Sequence, residues 1–285
     1  MEEKLSSVGK CLFCNKTFTK AGINRHLSTH LKEKTTGSEF DCSFLVKVEL
    51  NKHWGSTPYF LSLWIDGNTP FKSLDLFLRQ IWLECCGHLS TFIDPDLRKS
   101  GLYVSDIMYD YGDDEDDEGD EDEGDEDEDD EDDDDDDSIA SYRGLDIFSE
   151  EFPGEIPMDV KVQRFFCKGK VLEYEYDFGS TTALTLTVVE EYAMKAKQDI
   201  VLLSRNEPTL IKCTICKKAA ATQLCPYCCY EGIEAFCDKC APKHVKKCKN
   251  FDVETSFPIV NSPRMGVCGY VGGTIDIERD RYKKS

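Results

Sequence analysis

The sequence predicts an α+β protein, with an antiparallel-strand-rich central domain that carries one long amphipathic helix and is flanked by a compact Cys/His unit at each end. Three observations carry this reading. Apolar and polar side chains alternate through several short stretches of the middle segment, the two-residue period of half-buried strands. One stretch, 70–84, instead keeps its apolar residues at helical spacing. Nine of the 15 Cys and three of the five His fall in pairs with two or three residues between them, at the two ends of the chain.

Charge is distributed unevenly. Residues 113–137 hold 23 Asp or Glu and two Gly, while the remaining 260 residues carry 34 basic and 33 acidic side chains. The net charge of −22 therefore belongs to one insert in a nearly neutral body, which lacks the Lys and Arg excess of a protein that coats nucleic acid. Such a run self-repels and buries nothing, so a disordered loop that biases partners toward basic ones is expected. The N-terminus MEEKLSSVGK has no apolar core of a secretory signal, and no apolar run approaches the roughly 18 residues of a membrane span. A cytoplasmic protein is expected, where thiols stay reduced and clustered Cys point to metal rather than disulfides.

Residues 1–36 form the first unit and its linker. Cys11-x2-Cys14 followed by His26-x3-His30 has the ligand spacing of a ββα zinc finger, one residue shorter than the commonest form. Two thiolates on a knuckle and two imidazoles one helical turn apart offer Zn²⁺ a tetrahedral shell, and Phe18, Ile23 and Leu27 supply a small core. With His26 as helix position 7, the base-reading positions become Thr19, Gly22 and Arg25, of which only Arg25 is a strong base-edge donor. One finger reads about three base pairs, so a structural or protein-contacting finger is favoured.

The central domain spans 40–208, interrupted by the acidic run. Cys42, Phe44, Val46, Val48 and Leu50 alternate with Ser43, Lys47 and Glu49 as a half-buried strand, and Tyr59 to Ile65 is a more continuously apolar run consistent with an interior strand. Thr69-Pro70 is a helix start, followed by Phe71, Leu74, Phe77, Leu78, Ile81 and Trp82 on one face. Val162 to Cys167 and Val171 to Phe178 read as a hairpin about Lys168-Gly169-Lys170, with Glu173, Glu175 and Asp177 on its solvent face. Leu184, Leu186 and Val188 form a further strand.

This segment, through YFLSLWIDGNTPFKSLDLFLRQIWLE, GHLSTF at 87–92 and above all YEYDFGS at 174–180, resembles the plasmid pRiA4b ORF-3-like proteins, passengers of mobile elements. The resemblance covers roughly 40–205 without the insert and implies a fold more than a function. The family continues with Asp and then Trp after the Gly, where Ser180, Thr181 and Thr182 stand here.

Residues 210–250 carry Cys213-x2-Cys216, Cys225-x2-Cys228, Cys237-x2-Cys240 and His244-x3-Cys248, eight ligands for two closed tetrahedral zinc sites. Cross-brace pairing gives one ion Cys213, Cys216, Cys237 and Cys240, and the other Cys225, Cys228, His244 and Cys248; sequential pairing is the alternative that spacing leaves open. Cys229 is one thiol beyond the eight. The array, with its FCDKCAPKHVKKC ending, resembles MYND and HIT zinc fingers, which implies a surface for short or proline-rich peptides. Residues 251–285 read as a tail rich in Val, Gly and Tyr.

The remaining thiols include Cys85-Cys86-Gly87-His88, where an imidazole beside a thiol suggests a cysteine-dependent hydrolase. Cys85 follows an apolar helix face, however, and a buried Cys behaves as a small hydrophobe. The function expected is that of a non-enzymatic, zinc-binding interaction or scaffold protein with about three Zn²⁺ per chain and a protein or peptide partner. A nucleic-acid-binding regulator associated with a mobile element is the second reading, and the hydrolase at Cys86 and His88 a minor third.

Overall fold

The computed structural model describes residues 7–32, 41–51, 58–108, 152–228, 234–250 and 256–282; the acidic run and Cys229 lie outside them. The centre is a seven-stranded, wholly antiparallel sheet. In chain order its strands are β3 (Ser43–Leu50), β4 (Phe60–Asp66), β5 (Ser90–Ile93), β6 (Glu155–Ile156), β7 (Val171–Tyr176), β8 (Thr182–Tyr192) and β9 (Ile200–Arg205). Across the sheet the order is β6-β5-β7-β8-β3-β4-β9. The α+β expectation is met in its coarse form.

Both faces of the sheet are covered around β3 and β4, which is why β4 is mostly apolar and every residue in it, Ser62 and Asp66 included, is buried. On one face Phe44, Val46, Val48, Leu61 and Leu63 pack with Phe71, Leu74, Leu78, Ile81 and Trp82 of the helical segment. On the other, Leu45, Phe60 and Trp64 pack with Ile23, Leu27 and Leu31. Those three belong to α1 (Ile23–Lys32), which follows the hairpin of β1 (Val8–Lys10) and β2 (Thr17–Thr19). Their burial is worth roughly 1.5–3 kcal/mol each relative to exposure. The cover also explains why Leu45 is buried in a strand expected to face water on one side, while the buried Ser43 accepts from Trp64 Nε1 at 2.8 Å. Leu12 N donates to Leu203 O at 3.0 Å and Glu207 N to Val8 O at 2.8 Å, so backbone bonds fix the N-terminal unit to β9.

The helical segment departs from a single helix over 70–84. It is α-helical over Phe71–Leu78 (α2) and then widens into a π-helix over Arg79–Leu83. Thr69 does not cap it; its hydroxyl donates to Asp199 O at 2.9 Å. A π-turn frees carbonyls for outside donors, and here the C-terminal segment supplies them. Thr274 N donates to Gln80 O at 2.7 Å and Ser262 Oγ to Trp82 O at 2.6 Å. A Cβ on Gly273 would stand 2.5 Å from Ile81 O, so only glycine fits this approach.

Two further expectations are corrected. Val162 to Cys167 is not a strand but a 3-10 turn at Val162–Arg164 and a loop, because Val162 N and Gln163 N bond to the Gly67–Thr69 turn. The hairpin therefore forms between β7 and β8. Asp177 is not on a solvent face: the chain turns left-handed there, with φ 64, and the carboxylate is buried while Phe178 is exposed. The turn ends the alternation one residue early.

The C-terminal region holds β10 (Gln223–Leu224), β11 (Ala235–Phe236), the short helix of residues Ala241–Val245 (after α3, Pro95–Ser100, and α4, Val104–Met108, it is α5) and β12 (Phe257–Pro258). The strands pair in the order β11-β10-β12, so the segment read as a tail contributes to this sheet. It is also anchored on the body: the fully buried Arg205 guanidinium bonds Asn261 O at 2.6 Å, Asp276 and Asp280. Among the described residues no helix is long and apolar enough to cross a membrane.

Candidate metal centres

Among the described residues, four groups of Cys and His have ligand atoms within 4.8 Å of one another. The first is Cys11, Cys14, His26 and His30. Cys11 N donates to Lys16 O and Asn15 N to Cys11 O, the tight turn that brings the first two thiols together. Residues 26 and 30 lie one turn apart on α1, with Nε2 atoms 3.1 Å from each other and Cys14 Sγ 3.2 Å from His26 Nε2. Phe18 stacks on His26 with centroids 4.0 Å apart. Burial first, then the neighbouring His30 and Lys16, lowers the His26 pKa and favours the neutral imidazole that a metal needs.

The second group is Cys213, Cys216, Cys237 and Cys240, and the third Cys225, Cys228, His244 and Cys248. Pairs one and three are together, as are pairs two and four. Local bonding produces the interleaving: Thr214 N donates to Ala235 O, which draws the first knuckle to β11, and β11 leads into Cys237. The β10 strand, paired to β11 through Leu224 and Ala235, leads into Cys225. Helix α5 presents His244, and Cys248 N donates to His244 O at 2.9 Å. Phe236 stacks on His244 with centroids 4.2 Å apart, the same aromatic support that Phe18 gives His26.

The thiols differ in their readiness to ionise. N–H groups of Ala219 and Lys218 lower Cys216 to about 6. At Cys213 burial opposes ionisation, but N–H groups of Cys216, Cys237 and Ile215 outweigh it and the pKa is lowered. Burial, then neighbouring thiols, pushes Cys228 and Cys240 up to about 12. Thiols packed this closely suppress one another's ionisation, and a divalent cation reverses that penalty.

The fourth group is Cys85, Cys86, His88 and Cys268, of which spacing along the chain links only the first three. Cys86 and His88 are indeed brought together, with Sγ 2.9 Å from Nε2. Cys268 joins them from 180 positions away, 3.2 Å from His88 Nε2.

No family model matches this chain, and no curated protein does either. Among solved structures the chain is similar to a protein of unknown function, MM3350 from Methanosarcina mazei Go1. The identity is 12%, over 58% of this chain and 68% of that one, with a TM-score of 0.32.

Proposed function

We propose that the chain is a non-enzymatic, zinc-organised interaction scaffold. The observation that carries this reading is that each of the three Cys/His groups expected from spacing offers four protein ligands, which fill a tetrahedral shell and leave no position for water or substrate. The donors are two thiolates and two imidazoles in the first group, four thiolates in the second, and three thiolates with one imidazole in the third. Zn²⁺ suits all three sets, because soft thiolates and neutral imidazoles favour it over hard, oxygen-loving cations. Residues Cys11, Cys14, His26 and His30 would hold one ion in a ββα finger. The array would hold two in a MYND-like cross-brace.

A partner-binding role rests on the surface of that array. Ile215, Tyr227 and Val245 are exposed apolar side chains beside the ligands. A cleft of about 790 Å³ is lined by Thr214, Ile215, Glu234 and Lys247 together with the ligand residues Cys228, His244 and Cys248. An apolar or proline-containing peptide fits such a surface, and the acidic run at 113–137 would add attraction for basic partners. On this reading the central domain, in the pRiA4b ORF-3-like mould, is the cytoplasmic platform that carries both zinc units. Co-purification with the intact chain, with Ile215→Asp and Tyr227→Asp, and with residues 113–137 deleted tests it: specific partners lost on the array substitutions support it, and a partner set unchanged by all three overturns it.

The nucleic-acid reading has one observation in its favour: Thr19 and Arg25 are exposed on the finger, although α1 packs its apolar stripe on the sheet. One basic side chain gives little phosphate affinity, and the scaffold reading is preferred.

A further inference from the structure

We propose that Cys85, Cys86, His88 and Cys268 form a fourth zinc site, a surface clasp that fastens the C-terminal segment to the end of the helical segment of the central domain. The sequence places three of these donors within four residues, and the fold delivers the fourth. Cys86 Sγ lies 3.6 Å from Cys268 Sγ and 3.8 Å from Cys85 Sγ, with His88 Nε2 between Cys86 and Cys268. Three thiolates and one imidazole are the donor set of a closed structural zinc centre.

The surroundings are built as a metal site's support is built. A ligating imidazole needs its second nitrogen held by an acceptor, and His88 Nδ1 faces Asp177 Oδ1 at 3.5 Å. That carboxylate oxygen is itself fixed by Gly179 N at 3.1 Å and Ser180 N at 3.2 Å, and its other oxygen by Arg264. Three thiolates around Zn²⁺ leave one negative charge. The buried Arg264 guanidinium, which pairs with Asp177, also reaches Cys85 Sγ at 3.6 Å and lessens the net charge of thiolates and carboxylate together. Arg264 and Cys268 belong to the same segment, so the charge and the fourth ligand arrive together. Gly87 (φ 76) lets the chain reverse between Cys86 and His88.

The position gives the site a job. Cys86 and Cys268 are exposed, unlike the buried thiols Cys11, Cys213 and Cys225. An ion here is open to competing chelators, while the buried interactions of Arg205 and Ser262 hold the segment elsewhere. The clasp is therefore the exchangeable ion of the protein.

Zinc per chain in the full-length protein, purified reduced and without chelator, is compared with Cys268→Ser and Cys86→Ser. Both side chains are on the surface and away from the buried core, so each substitution is expected to leave the fold intact. The expected result is one ion fewer in each variant, whatever the wild-type total; that total separately tests the three sites of the proposed function. Loading with Co²⁺ should give thiolate charge-transfer absorption whose intensity falls in both variants. Chelator competition should remove one ion first, and Asp177→Asn should release that ion at about 10-fold lower chelator concentration or less. Equal zinc content in all three proteins overturns the proposal. So does a Cys86–Cys268 disulfide in the freshly reduced, zinc-loaded wild type, or rapid alkylation of Cys86 alone with the zinc content of the protein unchanged.

Discussion

Arg264 and Asp177 form a buried ion pair that joins the C-terminal segment to the turn after β7, 87 positions earlier in the chain. The guanidinium also donates to Ser180 O at 2.6 Å and lies over the Tyr176 ring at 5.1 Å. Removing one partner leaves the other charge buried and unpaired, which costs about 3 kcal/mol or more. Arg264→Met should lower unfolding stability by that amount in a denaturant titration, and proteolysis should cut the segment 256–282 first. A change under about 1 kcal/mol would mean that the segment docks without the pair.

The same pair makes stability depend on acid. Arg264, opposed by burial and helped by the N–H groups of Ser180 and Gly179, holds the Asp177 carboxyl below the usual carboxylate range. A lowered native pKa stabilises the folded state above the ordinary Asp value of about 3.9, and this is lost as pH falls through the native value. Below about pH 4 the unfolding free energy should therefore fall more steeply with Asp177 present than in Asp177→Asn. Both proteins should carry Cys268→Ser, so that the clasp does not contribute to the difference. Parallel pH profiles would exclude the pair as the cause.

Zinc in the N-terminal unit should control the burial of Trp64, which packs under α1 with Ile23 and Leu27. Small zinc-finger units with two Cys and two His ligands do not fold without metal. Chelation, or Cys14→Ser, should release α1 and red-shift the Trp64 emission, and Trp64→Phe should abolish the shift. Emission that is indifferent to metal would show that the unit holds its place by packing alone.

Nucleic-acid binding should be absent or weak. At about 50 mM salt the full chain should show no salt-dependent binding to duplex DNA or to RNA, because few phosphate contacts are available to a nearly neutral body. Binding that Arg25→Ala reduces would restore the regulator reading.

Much of this molecule is legible in the sequence where the determinants are local. The ligand pairs stand at fixed spacings, and β4 announces its double burial by a run that is apolar except for Ser62 up to Ile65. Sequence and structure part where a distant segment decides the outcome. Leu45 is covered by an N-terminal unit that periodicity within the strand cannot register. The π-turn at Arg79–Leu83 is satisfied by Ser262 and Thr274. His88 and the two thiols before it form an incomplete set until Cys268 arrives from the far end of the chain. The one available signal is the crowding of Cys85, Cys86 and His88 into four residues, and thiols at the end of an apolar helix face give the same pattern when they are simply packed.

The zinc content of the intact, reduced chain tests the account most directly. Four ions per chain are predicted, one for each of the four Cys/His groups, falling to three in Cys268→Ser. A wild-type chain that holds two or fewer would contradict the zinc-organised scaffold.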